Sequence, residues 1–201
     1  MRQRRKLRRY SIYHVAARAN RQELIFNCDE YKEMFMEVLL QAKEKYLFKL
    51  HNSTIMGNHI HLIIQPRDSV ANISKIMQWI LSVFALRFNK IHGYKGHVWY
   101  DRFKSRVVAT IDYFVNAMRY VANNPVRAGL VQHPLEWKYN GVTFWKDKRH
   151  RYHKLIDPPL KRMRSLIDRY LSDYDKTLGE KIDKELSFRD RPPGRPKKVV
   201  A

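Results

Sequence analysis

Cysteine is nearly absent from this sequence, in which Cys28 is the only example among 201 residues. An intrachain disulfide needs two thiols and a cysteine-rich zinc knuckle needs several, so both are excluded. Long apolar runs are missing as well, and none approaches the roughly 20 residues that a membrane-spanning helix requires. His14 and Arg18 interrupt the stretch behind the basic N-terminus, where a signal peptide would have its apolar core. We therefore expect a cytoplasmic protein without a membrane contact.

Acidic residues are scarce relative to basic ones. The sequence has 19 Asp and Glu against 40 Lys and Arg, which gives a formal net charge of +21. Such an excess predicts a polyanionic partner and, for nucleic acid, an affinity that falls steeply with salt. On charge alone, a basic ribosomal protein or a membrane-surface protein is an alternative. Hydrophobic residues make up 44% of the sequence, which is enough for one ordinary core with an extension.

The amino-acid composition of the sequence changes near residue 150. We predict one domain over residues 1–149 and a basic extension over 150–201, which is part helical and expected to be disordered at its end. The tip at 191–198 resembles an AT-hook, a segment that binds the minor groove of A·T-rich DNA, although Pro193 replaces the usual arginine. An ordinary basic tail is the alternative. The candidate DNA-binding residues of the tip are Arg191, Arg195, Lys197 and Lys198.

The spacing of apolar residues predicts alternating strands and helices along the domain. In order, the predicted elements are a strand within 10–26 that turns near residue 20, a helix from a capping Asp29 to about residue 46, strands over 47–56 and 57–66, a helix from Val70 to Ile91 closed by Gly93, a strand at the end of 97–109, and a helix from Ile111 to Asn123. We expect this last helix to end before Pro125, because a residue preceding proline disfavours the α conformation. The order is that of an α+β protein, typical of a small antiparallel sheet covered by helices on one face.

The segment from Gly57 to Pro66 contains two histidines separated by one residue. Since side chains alternate across a strand, His59 and His61 share one face while Ile60, Leu62 and Ile64 line the other. Two imidazoles on one face can hold one metal ion, although hydrogen-bonded sheet histidines are the alternative. Mg²⁺ or Mn²⁺ takes about six donors, so such a site would need a further protein oxygen together with waters or a phosphate.

The helix that precedes Pro125 offers groups that match this need. Asn124 has an amide oxygen that could be the third protein ligand, and Tyr120 lies one helical turn earlier with a hydroxyl that could attack phosphorus. Asn124 could instead cap the helix end. Tyr113, two turns before Tyr120 on nearly the same helix face, is either a reserve nucleophile or an aromatic residue packed at the helix start.

The segment after the second predicted helix mixes aromatic and cationic residues. Aromatic rings beside cations suit stacking on unpaired bases together with contacts to phosphate, which makes Arg102, Lys104 and Arg106 candidate nucleic-acid contacts. The neighbouring Trp99 and Phe103 could equally be core residues.

Two motifs together resemble the HUH single-tyrosine transposases, in particular the REP-associated tyrosine transposase branch, also called IS200-like. The motifs are His59-Ile60-His61 after Met56-Gly57-Asn58, and Arg119-Tyr120-Val121-Ala122-Asn123-Asn124-Pro125-Val126-Arg127-Ala128-Gly129-Leu130. The stretch Tyr13-His14-Val15 also resembles the opening strand of that family. The similarity extends over about residues 10–145.

The resemblance implies a ferredoxin-like HUH endonuclease fold. It also implies a metal-dependent endonuclease and strand transferase that cleaves single-stranded DNA near hairpins. His59, His61 and Asn124 would bind Mg²⁺ or Mn²⁺. Tyr120 would attack the phosphate to give a 5′-phosphotyrosine link and a free 3′-OH.

Further DNA contacts, the exact function and the oligomeric state have alternatives within this resemblance. Arg119 and Arg127 of the second motif are further candidate DNA contacts. Either of them, or the metal, could favour ionisation of the Tyr120 phenol, whose unperturbed pKa is about 10. A catalytically weak DNA-binding protein of the same fold, recognising repeat hairpins, and a basic metal-binding structural protein are alternative functions. Related transposases can exchange the tyrosine helix between protomers. We expect a monomer here, with a homodimer as the alternative.

Overall fold

A computed structural model describes residues 8, 10–67, 72–157 and 161–172. The elements in these residues are β1 (Ile12–Arg18), α1 (Asp29–Lys45), β2 (Phe48–Ile55), β3 (His59–Pro66), α2 (Ile73–His92), β4 (Lys104–Val108), α3 (Ile111–Arg127), α4 (Gly141–Lys146) and α5 (Lys161–Ser172). The order from β1 to α3 confirms the predicted alternation. None of the helices in the described part of the chain combines the length and apolar character needed to cross a membrane.

The four strands of the described residues form one sheet in the order β2-β3-β1-β4, and every neighbouring pair is antiparallel. A β-α-β-β-α-β chain with this arrangement is ferredoxin-like, as expected. β2 and β3 form a hairpin in which the Met56 N–H donates to the His59 carbonyl at 2.9 Å. The turn therefore lies at Gly57 and Asn58, and His59 begins β3.

One face of the sheet is apolar. Val15, Ile60 and Leu62 lie on this face of the two central strands and are fully buried. Helices α1 and α2 cover it, and their Phe35 and Phe84 rings meet with their centres 5.4 Å apart. This layer is the main hydrophobic core, and burial of its apolar surface is the principal stabilising contribution to the fold.

The opposite face of the sheet carries polar side chains from the same strands. His14, Thr54 and His61 lie on this polar face, because the strand pairing aligns them on one side of the sheet. The ring of Tyr120 on α3 packs against it, with its centre 5.4 Å from that of His61. The expectation that helices pack on one face thus holds for α1 and α2, whereas α3 packs on the polar face because its backbone bonds to polar strand side chains.

Two helix boundaries differ from the prediction or refine it. The capping role predicted for Asp29 is wrong, because Cys28 occupies the capping position and Asp29 is the first residue of α1. A carboxylate in the first helical turn still interacts favourably with the helix dipole. The side chain of Asn72 caps α2, and the predicted start at Val70 lies outside the described residues. Gly93 ends α2 with φ of 63°, as predicted.

Helix α3 continues through Pro125 to Arg127, so the predicted end before the proline is wrong. A proline inside a helix has no N–H for the carbonyl four residues earlier, which here belongs to Val121. The hydroxyl of Thr54 on β2 donates to that carbonyl at 2.8 Å. A tertiary hydrogen bond therefore replaces the missing helical one, and the helix can extend past the proline.

Three fully buried side chains anchor the backbone of α3. Besides Thr54, the Asn52 amide donates to the Met118 carbonyl at 3.2 Å, and the Asn140 amide donates to the Ala122 carbonyl at 2.8 Å. Buried polar groups that all have partners specify one relative position of the elements they join. The middle of α3, which carries the tyrosine of the second sequence motif, is therefore fixed relative to the sheet.

Replacement of Thr54 by valine tests this arrangement, because it removes the hydroxyl and keeps the shape. We expect Thr54→Val to lower the free energy of unfolding by about 1–3 kcal/mol, since the buried Val121 carbonyl loses this donor. In the Pro125→Ala variant, the N–H restored at residue 125 can donate to the Val121 carbonyl. Thr54→Val should then lower the free energy of unfolding by about 1 kcal/mol less than it does in the wild type. Urea unfolding of the four proteins measures the difference. If Thr54→Val lowered the free energy of unfolding equally in the wild type and in Pro125→Ala, the Thr54 hydroxyl would not be replacing the missing N–H of Pro125.

The described part of the C-terminal extension packs on the domain. The Asp157 carboxylate accepts a hydrogen bond from the Leu50 N–H at 2.8 Å and forms an ion pair with Lys43. Helix α5 contacts α3 and buries Tyr170 and Leu171. The division into domains near residue 150 stays a prediction, and the AT-hook-like tip lies outside the described residues.

Candidate active site

The two histidines of β3 lie side by side on the polar face of the sheet. The ring centres of His59 and His61 are 5.2 Å apart. Nδ1 of His59 is 2.7 Å from Oδ1 of Asn58, and Nδ1 of His61 is 3.0 Å from Nε2 of His14. When the protein holds one nitrogen of an imidazole, the other is the nitrogen that can bind a metal ion. Both histidines therefore have Nε2 as the candidate metal-binding nitrogen.

Burial keeps the inner histidines neutral. It lowers the pKa of His61 well below the ordinary value, and the nearby histidines and arginines lower that pKa further through their charge. Burial and the charge of Arg106 lower the pKa of His14 to about 3. A neutral imidazole keeps a lone pair on one nitrogen, which a protonated ring lacks. The cluster can therefore supply lone pairs near pH 7.

Helix α3 packs Tyr120 against these rings. The centre of the Tyr120 ring is 5.3 Å from that of His14 and 5.4 Å from that of His61, and the side chain is 5% exposed. The guanidinium of Arg127 lies 5.3 Å from the centre of the Tyr120 ring. A cation in this position would attract a phosphate bound beside the ring. Tyr113 packs against the hydrophobic core near the start of α3, so Tyr120 is the tyrosine that the structure brings to the histidines.

Asn124 lies one helical turn after Tyr120 and is buried. Its amide nitrogen donates to the Tyr120 carbonyl at 2.8 Å, so the amide oxygen is the atom that could bind a cation. The alternative interpretation of Asn124 as a helix cap is wrong, because α3 continues beyond it. The structure thus places Asn124 on the helix that carries Tyr120 to the histidine pair.

The donor atoms of this site fit part of the coordination shell of a divalent ion. The described residues contain no group of three or more His, Cys, Asp or Glu that could hold a metal. His59 and His61 could each offer an imidazole nitrogen and Asn124 a neutral amide oxygen, and water or a phosphate would have to complete the shell. Mn²⁺ accepts imidazole more readily than Mg²⁺, which prefers oxygen donors. A shell that is open toward a phosphate is what a phosphoryl-transfer site requires.

Basic residues of β1 and β4 lie on the same face as the histidines. Arg106 pairs in register with His14, and Lys104 is two residues away on the same side of β4. Arg18 pairs in register with His59 at the end of the sheet. Their positive charge next to the site suits contact with a nucleic-acid backbone.

The other predicted nucleic-acid contacts have different surroundings. Arg102 is exposed in the loop before β4, and Arg127 is exposed near Tyr120. Arg119 is half-buried, and its guanidinium packs over the Tyr170 ring of α5 at 5.0 Å. Arg119 therefore joins the extension to α3 in this structure. The four cations of the tip lie outside the described residues, namely Arg191, Arg195, Lys197 and Lys198.

Two of the aromatic residues before β4, Trp99 and Phe103, pack in the core. The Trp99 indole donates to the Leu81 carbonyl at 2.9 Å, and Phe103 is buried. The core interpretation of these two rings is therefore correct. Tyr100 between them is exposed, and it is an aromatic ring that could stack on a base.

Sequence reasoning missed His14 as a member of the cluster. Its signal was a polar residue at a central position of an otherwise apolar strand, within the Tyr13-His14-Val15 stretch. Which polar residue of β1 meets which histidine of β3 depends on the strand register, and no local pattern specifies it.

Comparisons with known proteins place this geometry in context. The model of the family described as "Transposase IS200 like" matches residues 9–124, a range that includes both histidines of β3, Tyr120 and Asn124. A solved structure of a REP-associated tyrosine transposase bound to a REP hairpin is similar with a TM-score of 0.60 and 21% identity, over 74% of this chain and 85% of that chain. A structure of a presumed transposase from Deinococcus radiodurans R1 has a TM-score of 0.43 and 14% identity, over 66% of this chain and 94% of that chain. No curated protein matches the chain.

Proposed function

We propose, from the premise that this chain belongs to the IS200-like transposase family, that it cuts and rejoins single-stranded DNA with Tyr120 as the nucleophile. Family membership makes the protein a DNA transposase. The observation that carries the finer proposal is the contact of the Tyr120 ring with His61, whose neighbour on the same face is His59. A nucleophile beside two candidate metal ligands is the combination that phosphodiester exchange needs.

The phenolic oxygen of Tyr120 would attack the scissile phosphorus. A bond forms between that oxygen and phosphorus while the bond to the 3′ oxygen breaks, so the DNA 5′ end becomes linked to the tyrosine and a 3′-OH is released. The phenol gives up its proton, and the departing 3′ oxygen gains one. Because one phosphoester replaces another, a 3′-OH can later attack the link and rejoin the strands without ATP. Arg127 beside the ring would favour the negative charge that develops.

His59, His61 and Asn124 are the residues that would hold Mg²⁺ or Mn²⁺. Bound there, the ion would polarise the scissile phosphate and offset its charge. The histidines would contribute Nε2, because their Nδ1 atoms contact Asn58 and His14. Asn124 would contribute its amide oxygen, because its amide nitrogen donates to a helix carbonyl.

The partner we propose is single-stranded DNA that contains a hairpin. The similar solved structure is of a protein bound to a REP hairpin, and the net charge of +21 suits any nucleic acid. Arg18, Lys104 and Arg106 on the polar face and Arg102 in the adjoining loop would contact the backbone near the cleavage site. We further propose that the protein acts on DNA in the cytoplasm as a monomer.

A covalent-trapping experiment tests the proposal. The full chain is incubated with Mg²⁺ or Mn²⁺ and a labelled pool of oligonucleotides that have a hairpin stem and random flanks, and a denaturing gel separates the products. We expect a denaturant-resistant adduct that forms only with metal, together with a released 3′-OH fragment. Hairpin binding without any adduct would favour the alternative, a catalytically weak DNA-binding protein of this fold.

The basic tail should act on duplex DNA rather than on cleavage. Deletion of residues 189–201 is expected to weaken binding to an A·T-rich duplex and to lower the slope of log affinity against log salt, because five cations that can contact phosphate are lost, the four of the tip and Arg189. Fluorescence anisotropy at several salt concentrations measures both quantities. Adduct formation on hairpins should not change. An unchanged duplex affinity would contradict an AT-hook role for residues 191–198.

A further inference from the structure

A third histidine contacts His61 from the neighbouring strand. His14 is 0% exposed on the central strand β1, and its Nε2 is 3.0 Å from Nδ1 of His61. The two ring centres are 5.2 Å apart with the planes tilted by 35°, so the contact is a hydrogen bond and not a stack. The centre of the Tyr120 ring is 5.3 Å from that of His14 and 5.4 Å from that of His61, so the three rings form one cluster.

We propose that His14 is a positioning residue that accepts a hydrogen bond from the Nδ1–H of His61 and thereby keeps Nε2 of His61 available to a divalent metal. The proposal rests on the proposed function, because it assigns a role toward the metal of that site. His14 itself would touch neither metal nor DNA.

The reasoning depends on the two tautomers of a neutral imidazole. Such a ring carries its proton on one nitrogen and a lone pair on the other. If His61 has its proton on Nδ1, Nε2 can bind a cation, whereas the opposite tautomer places a proton on Nε2 and prevents binding. An acceptor at Nδ1 selects the first tautomer, and His14 provides that acceptor within a pair of strands whose register is fixed.

The second histidine of β3 has an equivalent partner. Nδ1 of His59 is 2.7 Å from the side-chain oxygen of Asn58, which can only accept. His59 is therefore held with its proton on Nδ1 as well. Each candidate ligand has its own acceptor, one from the hairpin turn and one from the neighbouring strand. The rigid support of the two rings comes from these partners, as in known metal sites.

Metal affinity tests the role without a cleavage assay. Mn²⁺ binding is measured by electron paramagnetic resonance on the full-length wild type and on His14→Ala, His14→Gln and His51→Ala. His51 is the matched control, because it is a buried strand histidine whose ring contacts the Asp157 carbonyl and the Phe114 ring. We expect His14→Ala to weaken Mn²⁺ binding about 10- to 100-fold, the usual effect of removing a partner of a metal ligand. His51→Ala should bind Mn²⁺ as the wild type does.

The glutamine variant and a spectroscopic measurement separate positioning from packing. The amide oxygen of glutamine can accept the same hydrogen bond, so His14→Gln should lose less affinity than His14→Ala, and equal losses would overturn the role. Two-bond ¹H–¹⁵N spectra of the metal-free protein should find the His61 proton on Nδ1 in the wild type. A proton on Nε2 there would overturn the proposal even if His14→Ala failed to fold.

The outcomes also distinguish this proposal from the proposed function. If the wild type binds Mn²⁺ and His14→Ala binds it equally well, the role of His14 is overturned and the proposed function stands. If the wild type binds no Mn²⁺ and forms no adduct, the proposed function fails and the role of His14 fails with it.

Discussion

Tyr120→Phe is expected to form no covalent adduct with any hairpin oligonucleotide, a loss of at least about 10⁴-fold in the rate of trapping. The change removes the phenolic oxygen, which is the atom that would bond to phosphorus, and keeps the ring that packs against His14 and His61. Hairpin affinity should therefore be nearly unchanged. A denaturing gel with labelled DNA measures the adduct, and anisotropy with the same oligonucleotide measures binding.

Tyr113→Phe is the matched control for this variant. Tyr113 lies on the same helix two turns earlier and packs against the core, so its exchange should leave adduct formation as in the wild type. If the adduct survived Tyr120→Phe and disappeared with Tyr113→Phe, the nucleophile would be Tyr113. Loss of the adduct in both variants together with loss of hairpin binding would point to damaged folding rather than to chemistry.

His59→Ala is expected to abolish adduct formation through loss of the metal. Removal of a direct ligand should cost more than removal of a partner of a ligand, so we expect Mn²⁺ affinity to fall by at least about 100-fold. His59 is only partly buried at the start of β3, and its exchange should leave the fold intact. Titration of Mn²⁺ followed by electron paramagnetic resonance measures affinity, and far-ultraviolet circular dichroism checks the fold.

His92→Ala serves as the control for the metal ligand. His92 is half-buried like His59 but lies at the end of α2, where its ring stacks on Tyr94. This variant should bind Mn²⁺ and form the adduct as the wild type does. A His59→Ala protein with unchanged Mn²⁺ affinity would exclude His59 as a ligand. If high Mn²⁺ concentrations partly restored adduct formation by His59→Ala, the result would agree with a metal site that binds more weakly.

The order of elements and the histidine strand could be predicted because their signals are local. Alternation over Gly57 to Pro66 places His59 and His61 on one face whatever the strand pairs with, and a helical stripe identifies α3 without knowledge of its neighbours. The side of the sheet that α3 covers could not be predicted in the same way. It depends on polar groups of β2 that bond to α3 from far away in the sequence.

Pro125 illustrates why a sound local rule can fail. The rule that a helix ends before proline assumes that the unbonded carbonyl has no other donor. In this protein the donor is the hydroxyl of Thr54, 67 residues from the carbonyl it serves. This hydrogen bond matters for the candidate active site, because Asn124 would lie outside the helix if α3 ended before Pro125. Only the tertiary structure supplies the information that corrects it.

The link between β4 and α3 determines which chain completes the active site. β4 ends at Val108 and α3 begins at Ile111, and the two intervening residues can bridge about 11 Å at most. While β4 stays paired with β1, the start of α3 stays within about 11 Å of the end of β4, which favours the sheet of its own chain. We therefore expect tyrosine and histidines of one polypeptide to act together, so a mixture of Tyr120→Phe and His59→Ala proteins should restore no adduct.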